Sequence, residues 1–219
     1  MKYDTERREI VAACQDMNRR GINQGTSGNI SCRVKEGFLI TPSGMPYDEM
    51  KPADIVLMRP DGSHSGRRKP SSEFRFHTSI MAARPEVGAI VHTHSMFATT
   101  IGILGMEIPA VHYMIAAAGG GNIRCVPYIT YGTQELADAA LKALKDRSAC
   151  LLANHGMIVV GPTLKKAMWL AVEVETLAAQ YWRALAVGKP NILSDAQIKT
   201  VMEKFKGYGQ AAAPTPACC

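Results

Sequence analysis

Residues 87–95, Val-Gly-Ala-Ile-Val-His-Thr-His-Ser, join an apolar run of strand length to two histidines spaced two positions apart. A short run of this kind predicts a buried β-strand at residues 87–91. Side chains at positions i and i+2 of a strand point to the same side, so if the strand continues, His92 and His94 project together toward one cation. On a helix they would diverge by roughly 160°. An isolated His-x-His is at least as often a pair of exposed or singly hydrogen-bonded histidines, so this motif alone leaves both interpretations open.

On either side of this stretch, the chain alternates between amphipathic and apolar segments. Helical periodicity and capping residues predict helices over residues 5–20, 74–83, 95–103, 133–145, 163–187 and 194–206. Runs rich in Ile, Val and Leu between turn residues predict further strands over residues 29–34, 37–40, 54–58, 150–153 and 157–160. No repeat or linker divides the chain, which indicates one α/β domain over residues 1–209 and a flexible tail at 210–219.

Composition limits the class of protein. The chain has 219 residues, of which 47% are hydrophobic and 20% charged, as is typical of soluble globular domains. Its longest apolar runs, such as residues 184–187, are far shorter than the ~20 residues of a membrane-spanning helix. The charged N-terminal segment lacks the apolar region of a secretory signal, so we expect a cytoplasmic protein. The six cysteines include no CxxC pair, and we expect them to be thiols.

The net charge of +6 raises the question of a nucleic acid partner. The only dense basic cluster is Arg67-Arg68-Lys69, and no aromatic residues that could stack on bases are interleaved with it. Glycine, serine and proline surround the cluster, which predicts a solvated loop. We therefore expect neither a nucleic acid nor a membrane as a partner.

A third histidine strengthens the case for a metal site. His155 lies in Ala-Asn-His-Gly at 153–156, a turn between two predicted strands. Three neutral imidazoles with an open fourth position are the pattern of catalytic zinc. Among the other histidines, His64 is predicted to lie in a loop and His77 on a helix face, while His112 is expected near the site without being a ligand.

Three segments rich in small residues offer groups that bind anions. Ser71-Ser72-Glu73 precedes a predicted helix, whose N-terminus attracts negative charge, and Glu73 is a candidate acid–base. Simple capping explains the same residues equally well. Gly-Thr-Ser-Gly-Asn at 25–29 and Thr-Pro-Ser-Gly at 41–44 offer hydroxyls and backbone amides, although each alone is an ordinary turn.

The motifs gain specificity as a set. In chain order they are 25–29, 41–44, 71–73, 92–94, His-Tyr-Met-Ile-Ala-Ala-Ala-Gly at 112–119, and Asn-His-Gly at 154–156. This set strongly resembles the class II, zinc-dependent L-fuculose-1-phosphate aldolase family, from the first helix to residues 204–209. The resemblance implies a three-layer α/β/α sandwich with a central, mainly antiparallel nine-stranded sheet. It also implies a homotetramer with active sites between subunits.

The same resemblance implies roles for individual residues. It makes His92, His94, His155 and Glu73 ligands of Zn²⁺, for which Mn²⁺ or Co²⁺ is an alternative, and it makes Glu73 the general base as well. Tyr113 of an adjacent subunit becomes the acid–base for the cleaved alcohol. The residues that bind substrate are then Thr26, Gly28, Asn29, Ser43, Gly44, Ser71, Ser72, Tyr131 and Tyr208.

The implied reaction is retro-aldol cleavage of a ketose 1-phosphate to dihydroxyacetone phosphate and a short aldehyde. Candidate substrates are L-fuculose 1-phosphate, 5-deoxyribulose 1-phosphate and 5-methylthioribulose 1-phosphate. Tyr131 stands where fuculose aldolases would be expected to have phenylalanine. The identity of the aldehyde half of the substrate is therefore left open. Two alternatives are a sugar-phosphate 4-epimerase, in which aspartate replaces Glu73, and a non-catalytic interaction domain like the adducin head.

Overall fold

Every helix and strand predicted from the sequence has a counterpart within residues 1–207, the part of the chain that the computed structural model describes. The helices are α1 (Asp4–Arg19), α2 (Phe74–Ala83), α3 (Met96–Ile103), α4 (Gln134–Ala143), α5 (Leu164–Val187) and α6 (Asp195–Phe205). The strands are β1 (Asn29–Val34), β2 (Gly37–Ile40), β3 (Val56–Met58), β4 (His64–Ser65), β5 (Ala89–Thr93), β6 (Ile108–Pro109), β7 (Asn122–Val126), β8 (Ala149–Leu152) and β9 (Gly156–Gly161). Two 3₁₀ turns cover Pro52–Asp54 and Tyr113–Ala118.

The strands form one nine-stranded sheet in the order β4-β3-β2-β1-β5-β9-β8-β7-β6. Neighbouring strands are antiparallel except for β7 and β8, which confirms the mainly antiparallel sheet. The stretch with the two histidines supplies β5, the central strand. Because β5 runs to Thr93, two residues beyond the predicted end, His92 lies within the strand opposite Asn29 of β1.

Helices cover both faces of the sheet. Alternating residues of β5 show this: Ile90 packs with α2 and α4 in one core, and Val91 packs with α1, α3, α5 and α6 in the other. This alternation is the period of two that places successive strand residues on opposite faces. The architecture is therefore the expected three-layer α/β/α sandwich.

Three strands and a 3₁₀ turn differ from the sequence-based expectations. His64, predicted to lie in a loop, belongs to the two-residue strand β4 and pairs with Met58. Strands β6 and β7 and the 3₁₀ turn at Tyr113–Ala118 were also not predicted. Two-residue strands carry too short a pattern to detect, and β7 buries only Ile123 and Val126 of its five residues, beside a glycine-rich link.

The predicted strand at 54–58 is shorter than expected because its first residue has another role. Asp54 ends a 3₁₀ turn and is fully buried, and its carboxylate contacts Arg67 at 2.8 Å and Arg68 at 2.9 Å. Burial opposes ionisation, but these arginines and the Lys51 amide outweigh it and hold the pKa of Asp54 below its usual value. Two of the three residues in the basic cluster are therefore paired with a buried carboxylate.

The described cysteines, Cys14, Cys32, Cys125 and Cys150, are free, and all but Cys125 are buried. Burial raises the pKa of the Cys32 and Cys150 thiols to about 12. The tail predicted at 210–219 lies outside the described residues. Within residues 1–207, no helix combines the length and the hydropathy needed to cross a membrane.

Candidate metal centre and active site

Four side chains meet at the end of the central strand. Glu73 precedes α2, His92 lies in β5, His94 follows it, and His155 lies in the turn between β8 and β9. One ligand atom from each lies within 4.8 Å of the others. The Glu73 carboxylate is 3.1 Å from Nε2 of His92 and 3.2 Å from Nε2 of His155, and Nε2 of His94 is 3.0 Å from Nε2 of His92. The structure thus brings together the four residues predicted as metal ligands.

The tight turn between β8 and β9 determines where His155 lies. Asn154 adopts a left-handed conformation with φ of 56°, which asparagine tolerates better than most residues. The His155 amide donates to the Leu152 carbonyl at 3.1 Å and closes the turn. At Gly156, a Cβ atom would lie only 2.3 Å from the carbonyl oxygen of Thr93, so the absence of a side chain lets β9 start directly beside β5.

Replacing Gly156 by alanine is expected to lower the free energy of unfolding by about 1–3 kcal/mol, because the new methyl group overlaps the backbone of β5. Gly188→Ala is the matched control, since Gly188 has extended backbone and no heavy atom lies within 4 Å of the position its Cβ would take. Urea denaturation of both variants measures the difference. Equal stability of the two variants would contradict the close approach of β9 to β5.

The hydrogen bonds of His92 fix which of its nitrogens is available. Its Nδ1 lies 2.9 Å from the carbonyl oxygen of Met157, so this nitrogen carries the proton of the neutral ring and donates it. Nε2 then presents a lone pair toward His94 and Glu73. Two imidazole lone pairs 3.0 Å apart repel each other unless a proton or a cation lies between them.

The donor set fits a divalent cation. Oε1 of Glu73 is buried and has no hydrogen-bond partner among the described residues, although Nε2 of His155 lies 3.2 Å from it. Burial favours the neutral acid, but His92 and His155 outweigh it and hold the pKa of Glu73 well below its usual value. Burial, together with the neighbouring His92 and His155, lowers the pKa of His94 to about 3, so this imidazole is neutral at physiological pH. Neutral imidazoles and one carboxylate form a common donor set for zinc and related metals.

The loop after β2 and the loop before α2 run side by side above this cluster. The amide of Ser43 donates to the carbonyl of Lys69 at 3.1 Å, and the amide of Ser71 donates to that of Thr41 at 3.0 Å. The amide of Glu73 also donates to the Ser71 hydroxyl at 3.3 Å. Two of the three predicted anion-binding segments therefore converge beside Glu73.

The third segment, before β1, reaches the same place through a close backbone approach. A Cβ atom at Gly28 would lie 2.6 Å from the carbonyl oxygen of His92, so only glycine fits there without displacing the backbone. The amide of Thr41 donates to the carbonyl of Ile30, which ties the start of β1 to the loop after β2. The exposed members of the three segments are Gly25, Thr26, Ser43, Gly44 and Ser72.

Asn29 is buried and is not part of this exposed surface. The residue is 97% buried, its Nδ2 donates to Oε2 of Glu73 at 2.9 Å, and its Oδ1 lies 2.6 Å from Nε2 of His77. From the sequence, His77 is predicted only to lie on a helix face, and its contact with Asn29 is not predicted. The spacing of four residues between Glu73 and His77 is the available signal, because it places both on one side of the helix start.

Two of the predicted tyrosines, Tyr113 and Tyr131, lie outside the four-residue cluster. Tyr113 is 49% exposed and follows β6, which is four strands away from β5, about 19 Å at ~4.8 Å per strand. The neighbouring His112 caps the 3₁₀ turn by accepting from the Met114 amide. Tyr131 is 63% exposed, and Tyr208 lies outside the described residues. Within residues 1–207, no contact places Tyr113 beside the four-residue cluster of its own chain.

Known proteins share both the sequence and the fold. The family model described as Class II Aldolase and Adducin N-terminal domain matches residues 8–182. A 5-methylthioribulose-1-phosphate/5-deoxyribulose-1-phosphate aldolase from Rhodospirillum rubrum is 52% identical over 96% of each chain. An L-fuculose phosphate aldolase from Escherichia coli strain K12 is 49% identical over 92% of this chain and 94% of its own. A solved L-fuculose 1-phosphate aldolase superposes with a TM-score of 0.89 at 39% identity, over 91% of this chain and 95% of its own. The chain belongs to the class II aldolase and adducin N-terminal domain family.

Proposed function

We propose that this protein is a metal-dependent aldolase that cleaves a ketose 1-phosphate into dihydroxyacetone phosphate and a short aldehyde. The observation that carries the proposal is the cluster of Glu73, His92, His94 and His155 directly beneath three converging loops rich in hydroxyls and amides. The names of relatives that are about half identical support the same reaction and the same class of substrate.

The four-residue cluster is proposed to bind about one Zn²⁺ per chain, with Mn²⁺ or Co²⁺ as alternatives. Bound there, the cation supplies positive charge that favours the enediolate form of the ketone half of the substrate. His92 contributes Nε2 because Met157 occupies Nδ1. None of the motifs contains a lysine, so nothing in them provides for a Schiff base.

The phosphate is proposed to bind where the three loops converge. Ser43 and Ser71 offer hydroxyls, because their amides already donate to the carbonyls of Lys69 and Thr41. Gly44 and Ser72 offer amides from the same two loops, and Thr26, Gly28 and Asn29 belong to the third. The side chain of Asn29 is already hydrogen-bonded to Glu73 and His77, which leaves the second N–H of its Nδ2 and its main chain for any contact with phosphate. Neutral donors of this kind bind phosphate through oriented N–H and O–H groups.

Two residues are proposed to move protons during cleavage. Tyr113 removes the proton of the C4 hydroxyl, the C3–C4 bond breaks, and its electron pair passes to C3 and C2 of the enediolate. Glu73 takes up a proton from solvent and delivers it to C3, which yields dihydroxyacetone phosphate, while Tyr113 passes the C4 proton to solvent, so that no net proton is consumed. General acid–base groups of this kind must lie within hydrogen-bond reach of the proton they transfer.

Tyr113 lies far from the cluster of its own chain, so we infer that it acts in the site of a neighbouring copy. The proposed assembly is a homotetramer in the cytoplasm, with active sites between subunits. Large apolar side chains exposed on and near α3 and α5 support a contact between copies. They are Met96, Ile103, Leu104, Trp169, Trp182, Leu185 and Val187.

The aldehyde half of the substrate is proposed to contact Tyr131 and Tyr208. Gly132, next to Tyr131, has φ of +74°, and a Cβ atom there would lie 3.0 Å from the carbonyl oxygen of Ser72. Its own carbonyl accepts from Arg75 at 2.8 Å. These contacts attach the Tyr131 loop to the proposed phosphate site, so Tyr131→Phe is a direct test of specificity.

The proposed function is tested by measuring kcat/KM with L-fuculose 1-phosphate, 5-deoxyribulose 1-phosphate and 5-methylthioribulose 1-phosphate, because this ratio reports differential binding of the transition state. We expect at least one ketose to yield dihydroxyacetone phosphate. Fully metal-loaded protein that releases none from all three would contradict the proposal. If isomeric sugar phosphates were the only products, the protein would instead be an epimerase. A protein that neither binds metal nor turns over any of these substrates would be an interaction domain.

A further inference from the structure

Four buried polar side chains form a continuous chain that ends at the candidate metal centre. The Ser31 hydroxyl lies 2.7 Å from Nδ1 of His77, Nε2 of His77 lies 2.6 Å from Oδ1 of Asn29, and Nδ2 of Asn29 lies 2.9 Å from Oε2 of Glu73. Ser31 and His77 are fully buried. Asn29 and Ser31 are two residues apart in β1, so they share the face of the sheet on which His92, opposite Asn29, also lies.

The Glu73 carboxylate fixes the direction of every hydrogen bond in this series of four side chains. An ionised Glu73 only accepts, so Asn29 must turn its Nδ2 toward it. Oδ1 of Asn29 therefore faces His77, and Nε2 of His77 must carry a proton in order to donate to it. Nδ1 of His77 is then left as an acceptor for the Ser31 hydroxyl. Burial, together with His92, lowers the pKa of His77 to about 3, in agreement with a neutral ring that carries one proton.

We propose that His77 is a positioning residue: its Nε2–H holds the Asn29 amide in the orientation that donates to Glu73 and thereby orients the Glu73 carboxylate toward the three histidines. The inference rests on the proposed function for its catalytic consequence, but its effect on the metal centre does not need any substrate. Groups that orient a metal ligand typically contribute about 10- to 100-fold to metal affinity or activity.

The consequences of losing His77 differ from those of a general loss of stability. Without the Nε2–H donor, the Asn29 amide can rotate, and its oxygen can then face Glu73. The carboxylate would lose its hydrogen bond to Asn29 Nδ2, so its orientation would become less fixed. His77 is fully buried, so the ketose phosphate would not contact it, and the KM for this substrate is the quantity expected to change least.

The test compares His77→Leu, His77→Gln and Ser31→Ala. Glutamine retains an N–H near the position of Nε2, leucine removes it, and alanine at residue 31 perturbs the same buried chain while His77 keeps its bond to Asn29. Each protein is stripped of metal and titrated with Zn²⁺ by calorimetry, and its thermal midpoint, kcat and KM are recorded. We expect His77→Leu to bind Zn²⁺ about 10- to 100-fold more weakly and to lose kcat more than KM.

His77→Gln is expected to recover most of the metal affinity, and Ser31→Ala to stay close to the wild type. Folded His77→Leu that binds Zn²⁺ as tightly as the wild type would overturn the proposal, as would a loss in His77→Gln equal to that in His77→Leu. If His77→Leu does not fold, Asn29→Ala breaks the chain at the next link and must show the same loss of affinity. A wild-type protein without aldolase activity would refute the proposed function and leave the affinity comparison intact.

Discussion

Replacing Glu73 by glutamine is expected to lower kcat by about 10²- to 10⁴-fold at saturating metal, the range typical for removal of a general acid–base. Glutamine has nearly the same shape, but it has neither the charge nor a proton to exchange at C3. Glutamine would also introduce an N–H donor close to the Asn29 amide, whose Nδ2 donates to Oε2 of Glu73 at 2.9 Å. The fold should persist, since the two cores on either side of the sheet are untouched.

Glu203→Gln is the matched control, because the Glu203 carboxylate is exposed and pairs only with Lys206 among the described contacts. Its kcat should equal that of the wild type. Circular dichroism and the thermal midpoint establish that both variants are folded. Turnover of Glu73→Gln at the wild-type rate would exclude Glu73 as the proton carrier.

Replacing Tyr113 by phenylalanine is expected to cause a loss of similar size, about 10²- to 10⁴-fold in kcat, with unchanged metal content. Only the hydroxyl is removed, so packing around the 3₁₀ turn at Tyr113–Ala118 is retained. Tyr128→Phe is the matched control, since Tyr128 is also exposed but has no assigned role. Steady-state cleavage rates for the two variants provide the comparison.

Mixing two inactive variants tests whether Tyr113 acts between subunits. In randomly mixed oligomers of Glu73→Gln and Tyr113→Phe, about a quarter of the sites would combine the intact Glu73 of one copy with the intact Tyr113 of another. Activity should therefore reappear after joint unfolding and refolding of the two proteins. Mixed oligomers that remain inactive would show that both residues serve the site of the same chain.

The sequence predicts the central part of this fold well because the pattern there is strong. Residues 89–91 alternate between the two cores within the middle strand β5, and the long helix predicted at 163–187 is observed at Leu164–Val187. Periodicity is most informative where a segment is long or fully buried. Separate motifs do not show how far apart His92, His94, Glu73 and His155 lie. Their convergence is therefore predicted from the resemblance to a family.

What the sequence does not predict depends on contacts between distant residues. Strands β4 and β6 have two residues each and are defined only by their partners. His77 looks like any helical histidine until the structure shows that Asn29, which lies opposite His92 in the sheet, contacts both His77 and Glu73. The distance between Tyr113 and the cluster likewise becomes visible only from the strand order.

Exchange of deuterium into dihydroxyacetone phosphate tests the central claim most directly, because it needs no aldehyde and is independent of the unknown second product. Metal-loaded protein is incubated with dihydroxyacetone phosphate in D₂O, and the C3 hydrogens are followed by proton NMR. We predict that the wild type exchanges one of the two C3 hydrogens, and that exchange is lost after chelation and in Glu73→Gln. Fully metal-loaded wild-type protein that leaves both hydrogens in place would contradict the assignment of this cluster as an enediolate-forming site.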